Sequence, residues 1–177
     1  MYCIAGKNQC SIDALKYLLN RPDVKNHNIC VCPNNDDSGE DTWQPSLLKF
    51  ADKNNIQSKD LKELYSINDL KFFSLEYDRI VDTTNFESNK LFNFHFSLLP
   101  KYRGCHTNYL QIKNGEKYTG VTCHEIDNGI DSGKIIDQIR YNIKINDTAR
   151  ENYIKLMSTS VRLFIKLFDI LSKGTYN

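Results

Sequence analysis

The chain has 177 residues, 40% of them hydrophobic and 25% charged, with a formal net charge of +1. That length and composition suit one globular domain with its own core and exclude a wholly disordered chain. The near-zero charge gives no electrostatic footprint for nucleic acid, and no apolar run approaches the ~18 residues needed to span a membrane.

Residues 2–5 form a short apolar run closed by Gly6, a first strand. No basic segment followed by a long apolar run opens the chain, so a signal peptide is not expected and a cytoplasmic location is. Residues 11–20 place Leu15, Leu18 and Leu19 on one helical face, with Pro22 just beyond. Residues 28–32 read as a second strand. Cys30 and Cys32 would share one of its faces, but no second ligand pair lies near them in sequence. All six cysteines are therefore read as reduced and structural. Residues 34–42 are a polar loop. Pro45 is expected to open a helix carrying Leu47, Leu48, Phe50 and Ala51, because the first helical position needs no N–H.

Residues 72–75 and 79–81 look strand-like, and 91–96 form a strand stopped by Pro100. Residues 107–114 suggest a short helix; 120–126 and 134–143 read as strands. The last element is the clearest. Thr148 and Glu151 make a capping box. Ile154, Met157, Val161, Phe164, Phe168 and Leu171 form one apolar stripe, and Gly174 sits at the expected stop. Strands alternating with helices predict an α/β domain: a mainly parallel sheet flanked by helices, with a long C-terminal helix.

Two segments invite a chemical reading. Gly6-Lys7-Asn8 follows the first strand but fits neither common nucleotide-binding glycine pattern, so a plain strand-to-helix turn accounts for it equally well. In Asn93-Phe94-His95-Phe96, alternation puts the polar pair on one face and the aromatic pair on the other. Asn and His near the carboxyl end of a strand fit a site at that edge of a parallel sheet, and also a hydrogen-bonded strand end.

The wider pattern decides between them. Asn93-Phe94-His95-Phe96-Ser97-Leu98-Leu99-Pro100, then Tyr102-Arg103-Gly104, Gly120-Val121-Thr122 and Asp127-Asn128-Gly129-Ile130-Asp131-Ser132-Gly133 resemble the folate-dependent formyltransferases. The resemblance implies a Rossmann-like formyltransferase fold and one catalytic domain over residues 1–177. It implies Asn93, His95 and Asp131 as reacting residues and N10-formyltetrahydrofolate as formyl donor and co-substrate. Ser74, Leu75, Tyr77, Arg79 and Val81 would form one wall of the folate pocket, on a strand running from 74 to 81. Asp127, Gly129 and Ile130 would form the other. A cis peptide near Leu99-Pro100 is expected as well. The chemistry is coherent: Asn93 can donate to a tetrahedral oxyanion, His95 can accept the proton of an attacking amine, and Asp131 can orient the imidazole.

The acceptor is read from other residues. Ile4-Ala5-Gly6-Lys7-Asn8, Asp41-Thr42-Trp43-Gln44-Pro45 and Tyr77-Asp78-Arg79-Ile80 resemble the sugar N-formyltransferase branch, which implies a dTDP-amino-6-deoxyhexose substrate. Gly6, Lys7, Asn8, Trp43, Gln44, Tyr102, Arg103, His106 and Tyr109 are its candidate contacts. His106 could equally cap the helix that follows it, and His124 reads as structural. Formylation of phosphoribosylglycinamide, or a folate-binding remnant without catalysis, are the alternatives. Sugar enzymes usually continue into a β-rich dimerisation segment absent from this chain, which leaves homodimer formation open. Neither nucleic acid nor a membrane is an expected partner.

Overall fold

Apolar alternation along the strands decides how the sheet is covered. On β1 (Tyr2–Gly6), Ile4 faces one side while Cys3 and Ala5 face the other. Strand β2 (Ile29–Pro33) splits Val31 from Cys30 and Cys32, and β4 (Lys71–Leu75) splits Phe73 and Leu75 from Phe72. Burial on both faces marks these as interior strands of a parallel sheet. The computed structural model, which describes residues 1–176, places them in a seven-stranded sheet of order β3-β2-β1-β4-β5-β6-β7. The remaining strands are β3 (Gln57–Ser58), β5 (Leu91–His95), β6 (Tyr118–Glu125) and β7 (Ile135–Asn142). The first five in spatial order run parallel; β6 and β7 are antiparallel.

Helices α1 (Asn8–Leu19), α2 (Leu47–Lys53) and α5 (Ala149–Lys173) pack on the Ile4 face, and α3 (Leu61–Leu64) on the other. Helix α4 (Thr107–Lys113) lies against α5. Phe164 of α5 anchors the larger core, with the rings of Tyr17, Phe73, Phe94 and Phe168 all within 6 Å of its own. The capping box of Thr148 and Glu151 and the left-handed Gly174 bound α5 as expected. Among the described residues no helix is long and apolar enough to cross a membrane.

Four expectations need correction. Helix α2 opens on Ser46, whose hydroxyl accepts the Lys49 N–H, so Pro45 lies outside it. Residues 79–81 are irregular, because β4 ends at Leu75 and Glu76 turns away with a φ of 65°. The 74–81 stretch is therefore strand, then loop. Ile154 is 51% exposed: the buried stripe of α5 runs instead through Asn152, Leu156, Leu163 and Leu167, beside Phe164, Phe168 and Leu171. The short β3 and α3 were absent from the sequence reading, although Asp60 and Glu63 form a full capping box.

Candidate active site

The sheet order reverses direction at β1: the chain moves from β1 to β2 and β3 on one side, then returns to β4 on the other. Ligands of such sheets bind outside the carboxyl ends of the strands at this switch point. A cavity of about 630 Å³ lies there, at the ends of β4, β5 and β6. Its size is that of a small-molecule pocket.

Alternation on β5 delivers two polar side chains to it. Phe94 enters the core, while Asn93 and His95 turn to the cavity. Asn93 is fixed by Ser74 on the neighbouring strand, whose hydroxyl donates to Asn93 Oδ1 at 2.8 Å. The Asn93 amide donates to Asp131 Oδ1 at 3.1 Å. Its nitrogen also lies 3.2 Å from His124 Nε2. His124 stands opposite Asn93 in the β5–β6 ladder. Its Nδ1 lies 2.7 Å from the Glu125 carbonyl oxygen, so Nδ1 carries a hydrogen.

Asp131 arrives on the loop after β6. Gly133 holds that loop down: a Cβ there would sit 1.8 Å from the Glu125 carbonyl oxygen, so only glycine permits the approach. Asp131 Oδ2 accepts the Gly104 N–H at 2.7 Å and faces His95 Nδ1 at 3.4 Å. Its Oδ1 lies 3.4 Å from His124 Nε2. Burial opposes ionisation of Asp131, but the His124 contact, His95 and the Gly104 N–H outweigh it and hold its pKa below the carboxylate norm. His95 is shifted the other way. Burial lowers its pKa, against the pull of Asp131 and of the Tyr102 carbonyl, which lies 2.6 Å from Nε2. The imidazole is therefore neutral near pH 7, with its hydrogen on Nε2 and its lone pair on Nδ1.

Among the described residues six non-glycine residues have positive φ, and five of them, Asn8, Glu76, Tyr102, His106 and Asp131, line this cavity or bond to residues that do. Strained backbone concentrates at functional sites.

The cavity gathers most of the expected contacts and leaves some out. Ser74, Tyr77, Arg79 and Val81 line it on one side, and Asp127, Gly129 and Ile130 on the other. Leu75 does not: its side chain is buried in the core of the opposite face. Lys7 and His106 line the cavity; His106 precedes α4 in a left-handed conformation and makes no side-chain cap. Gly6 lies outside the lining and is needed for packing, since a Cβ would lie 1.8 Å from the Leu75 carbonyl oxygen. Asn8 and Gln44 reach the rim through hydrogen bonds to Tyr153. Trp43, 72% exposed, lies tilted beside Tyr153 and frames a shallower apolar hollow with Asn108, Ala149 and Arg150. Tyr102 contributes its carbonyl, while its hydroxyl is tied to Glu116 and Asn114. Arg103 and Tyr109 are exposed and lie outside the lining. The cis Leu99-Pro100 bond expected from the sequence is present.

Cavity residues that the sequence reading did not name as contacts include Asn34, Asn108, His124 and Tyr153; Glu76 was included only as part of the 74–81 wall. For His124 a signal existed, since alternation had already placed it opposite Cys123, which is buried in the core. No group of three or more His, Cys, Asp or Glu among the described residues is arranged to hold a metal ion.

This constellation has known counterparts. A family model described as formyl transferase matches residues 75–167, a little over half of the chain. The protein belongs to the formyl transferase family. WlaRD, a sugar 3N-formyl transferase solved with dTDP and 5-N-formyl-THF, is 46% identical over 99% of this chain, with a TM-score of 0.96. The N-formyltransferase of Helicobacter canadensis, solved with folinic acid and dTDP-3-aminofucose, is 47% identical over 99% of this chain, also with a TM-score of 0.96. Among curated proteins, the bifunctional polymyxin resistance protein ArnA of Wigglesworthia glossinidia brevipalpis is 39% identical over 107 residues, or 59% of this chain. The chain spans 16% of that protein, and 64% and 65% of the two solved chains.

Proposed function

We propose that this formyl transferase family member moves a formyl group from N10-formyltetrahydrofolate to the amine of a dTDP-linked amino-6-deoxyhexose. One observation carries the reading. Asn93, His95 and Asp131 converge on a single cavity in a chain that matches two sugar N-formyltransferases over 99% of its length. The ligands of those two proteins, formylated folates with dTDP or dTDP-3-aminofucose, favour the 3-amino position over the 4-amino one.

The cavity fits a folate on one flank. Arg79 lies over the Tyr77 ring at 5.0 Å, and its buried Nε has no hydrogen-bond partner, a donor left for a ligand. The 127–131 loop faces it across the opening. Bound there, the folate supplies the carbonyl carbon that the amine attacks.

The protein's own groups divide the remaining work. With Nε2 engaged by Tyr102, His95 accepts a proton at Nδ1, where the resulting imidazolium faces the Asp131 carboxylate. Asn93 stabilises the oxyanion. Its amide hydrogens are directed at Asp131 and His124, so one of them must be handed over.

The test is turnover. The protein, the formyl donor and dTDP-3-amino- or dTDP-4-amino-6-deoxyhexose should yield a product heavier by one formyl group. Turnover on phosphoribosylglycinamide alone would overturn the acceptor assignment. Folate binding unaffected by His95→Ala, with no transfer to any amine, would reduce the chain to a binding module.

A further inference from the structure

We propose that Glu76 receives the acceptor in its ammonium form and removes the first proton, leaving the second to His95. The inference rests on the formyl-transfer reading above.

Register places the carboxylate where this requires it. Ser74 pairs with Asn93 in the last rung of the β4–β5 ladder, and Glu76 follows two residues later, beyond the end of β4, at the cavity that His95 also lines. Glu76 sits just past the end of β4 with a φ of 65°, a conformation costly for a non-glycine residue and kept where surrounding contacts impose it. Both residues line the cavity.

The hydrogen-bond partners of Glu76 are neutral. Tyr153 of α5 donates its hydroxyl to Glu76 Oε2 at 2.6 Å. That hydroxyl accepts from Asn8 of α1 at 2.6 Å and from Gln44 at 3.1 Å, so its only proton is committed to Glu76. The other titratable groups that face it are Lys7, before α1, and the Cys10 thiol on α1. Lys7 is 3.6 Å from Asp36 and makes no salt bridge to Glu76. Asn34 lines the same end of the cavity; its amide donates to the Glu76 backbone oxygen at 2.9 Å, while its buried Oδ1 has no partner. The nearest cation at this end, Lys7, is paired with Asp36, so Glu76 has no ion-pair partner of its own. A half-buried carboxylate without an ion-pair partner is costly to ionise, and an alkylammonium supplies that partner.

The proton count supports two bases. An alkylammonium that becomes a formamide loses two protons. Glu76 carboxylate takes the first, giving neutral amine and carboxylic acid, and later releases it to water. The amine lone pair forms the new C–N bond at the formyl carbon, the C–N bond to folate breaks, and the second proton passes through His95 to the departing folate nitrogen. Burial raises the Glu76 pKa, against the Tyr153 bond and Lys7, which brings the acid closer in strength to the ammonium it must deprotonate.

Two measurements on the full chain test this. In the first, donor is omitted and binding is followed by the fluorescence of Trp43, the only tryptophan, whose ring lies 6.5 Å from that of Tyr153. Wild type should bind dTDP-amino sugar about 10- to 100-fold more tightly than the analogue with hydroxyl in place of amine, the range for a hydrogen bond to a charged group. Glu76→Gln should erase that preference. In the second, Glu76→Gln should lower kcat/KM for the amino sugar by about 100- to 10,000-fold, with formyl-folate binding unchanged. The residual rate should climb with pH toward the pKa of the acceptor amine, as neutral amine becomes available. A Glu76→Gln enzyme within about threefold of wild type, or one impaired equally at every pH with its amine preference intact, overturns the proposal. If that variant does not fold, wild type decides: absence of an amine preference, or a preference that does not weaken as pH falls and Glu76 protonates, overturns it too. Wild type that prefers the amine but transfers no formyl defeats the formyl-transfer reading and leaves Glu76 as an ammonium site.

Discussion

Asp131→Asn isolates the charge at the centre of the site while keeping the size of the side chain. Asp131 Oδ2 lies 3.4 Å from His95 Nδ1, and the carboxylate is 12% exposed. At an effective dielectric of 20, unit charges at that distance attract by about 5 kcal/mol. Part of that is returned, since the amide costs less to bury than the carboxylate. A net loss of about 3–4 kcal/mol for the imidazolium-bearing transition state lowers kcat roughly 100- to 1000-fold. The sign of the pH effect follows from the same contact. Asp131 raises the His95 pKa against burial, so removing the charge drops it further, and the acid limb of kcat/KM moves to lower pH. The assay is steady-state formyl transfer across pH, with folate binding measured in parallel. A loss under about tenfold with an unmoved acid limb would refute the coupling between Asp131 and His95.

Asn93→Ala should lower kcat about 100- to 1000-fold with little change in folate affinity, the signature of a donor used mainly in the transition state; an equal rise in folate Kd would point to ground-state binding instead. His124→Leu is closer to histidine in volume and removes the Nε2 contact to Asn93, so it should slow turnover while leaving the melting temperature within a few degrees. Full activity in that variant would return His124 to the purely structural role read from sequence. Gly6→Ala would place a methyl 1.8 Å from the Leu75 carbonyl oxygen in a backbone with φ of 142°, and the cost should exceed about 3 kcal/mol in denaturant unfolding. Phe164→Ala empties the contact point of four aromatic rings and should cost about 3–5 kcal/mol; a smaller loss would mean that α5 collapses into the space.

Local rules reached far into this chain. Alternation separated Asn93 and His95 from Phe94, and the structure keeps that division, because a strand's two faces are set by its pleat and need no partner to define them. The Thr148 capping box and Gly174 marked both ends of α5 for the same reason: caps satisfy backbone groups within one turn. The same rules failed where a segment's state depends on something distant. Ile154 belongs to an apolar pattern, yet it is exposed, since the buried side of a helix is chosen by what it packs on. Residues 79–81 have strand composition but no strand to pair with once Glu76 turns the chain.

The site divides in the same way. The sequence by itself singled out Asn93, His95 and Asp131 as candidates, because the motifs that resemble the formyltransferases lie in runs of consecutive residues. It also determined the α/β class, through the order of its elements. Only the tertiary structure decided that His124 shares Asp131 with His95, and that Glu76, Tyr153, Asn8 and Gln44 form one hydrogen-bonded chain. Tyr153 and Glu76 are 77 residues apart, and Tyr153 and Asn8 are 145 apart. No local pattern encodes such contacts: they exist because α5 crosses the face of the sheet and sets Tyr153 above the end of β4.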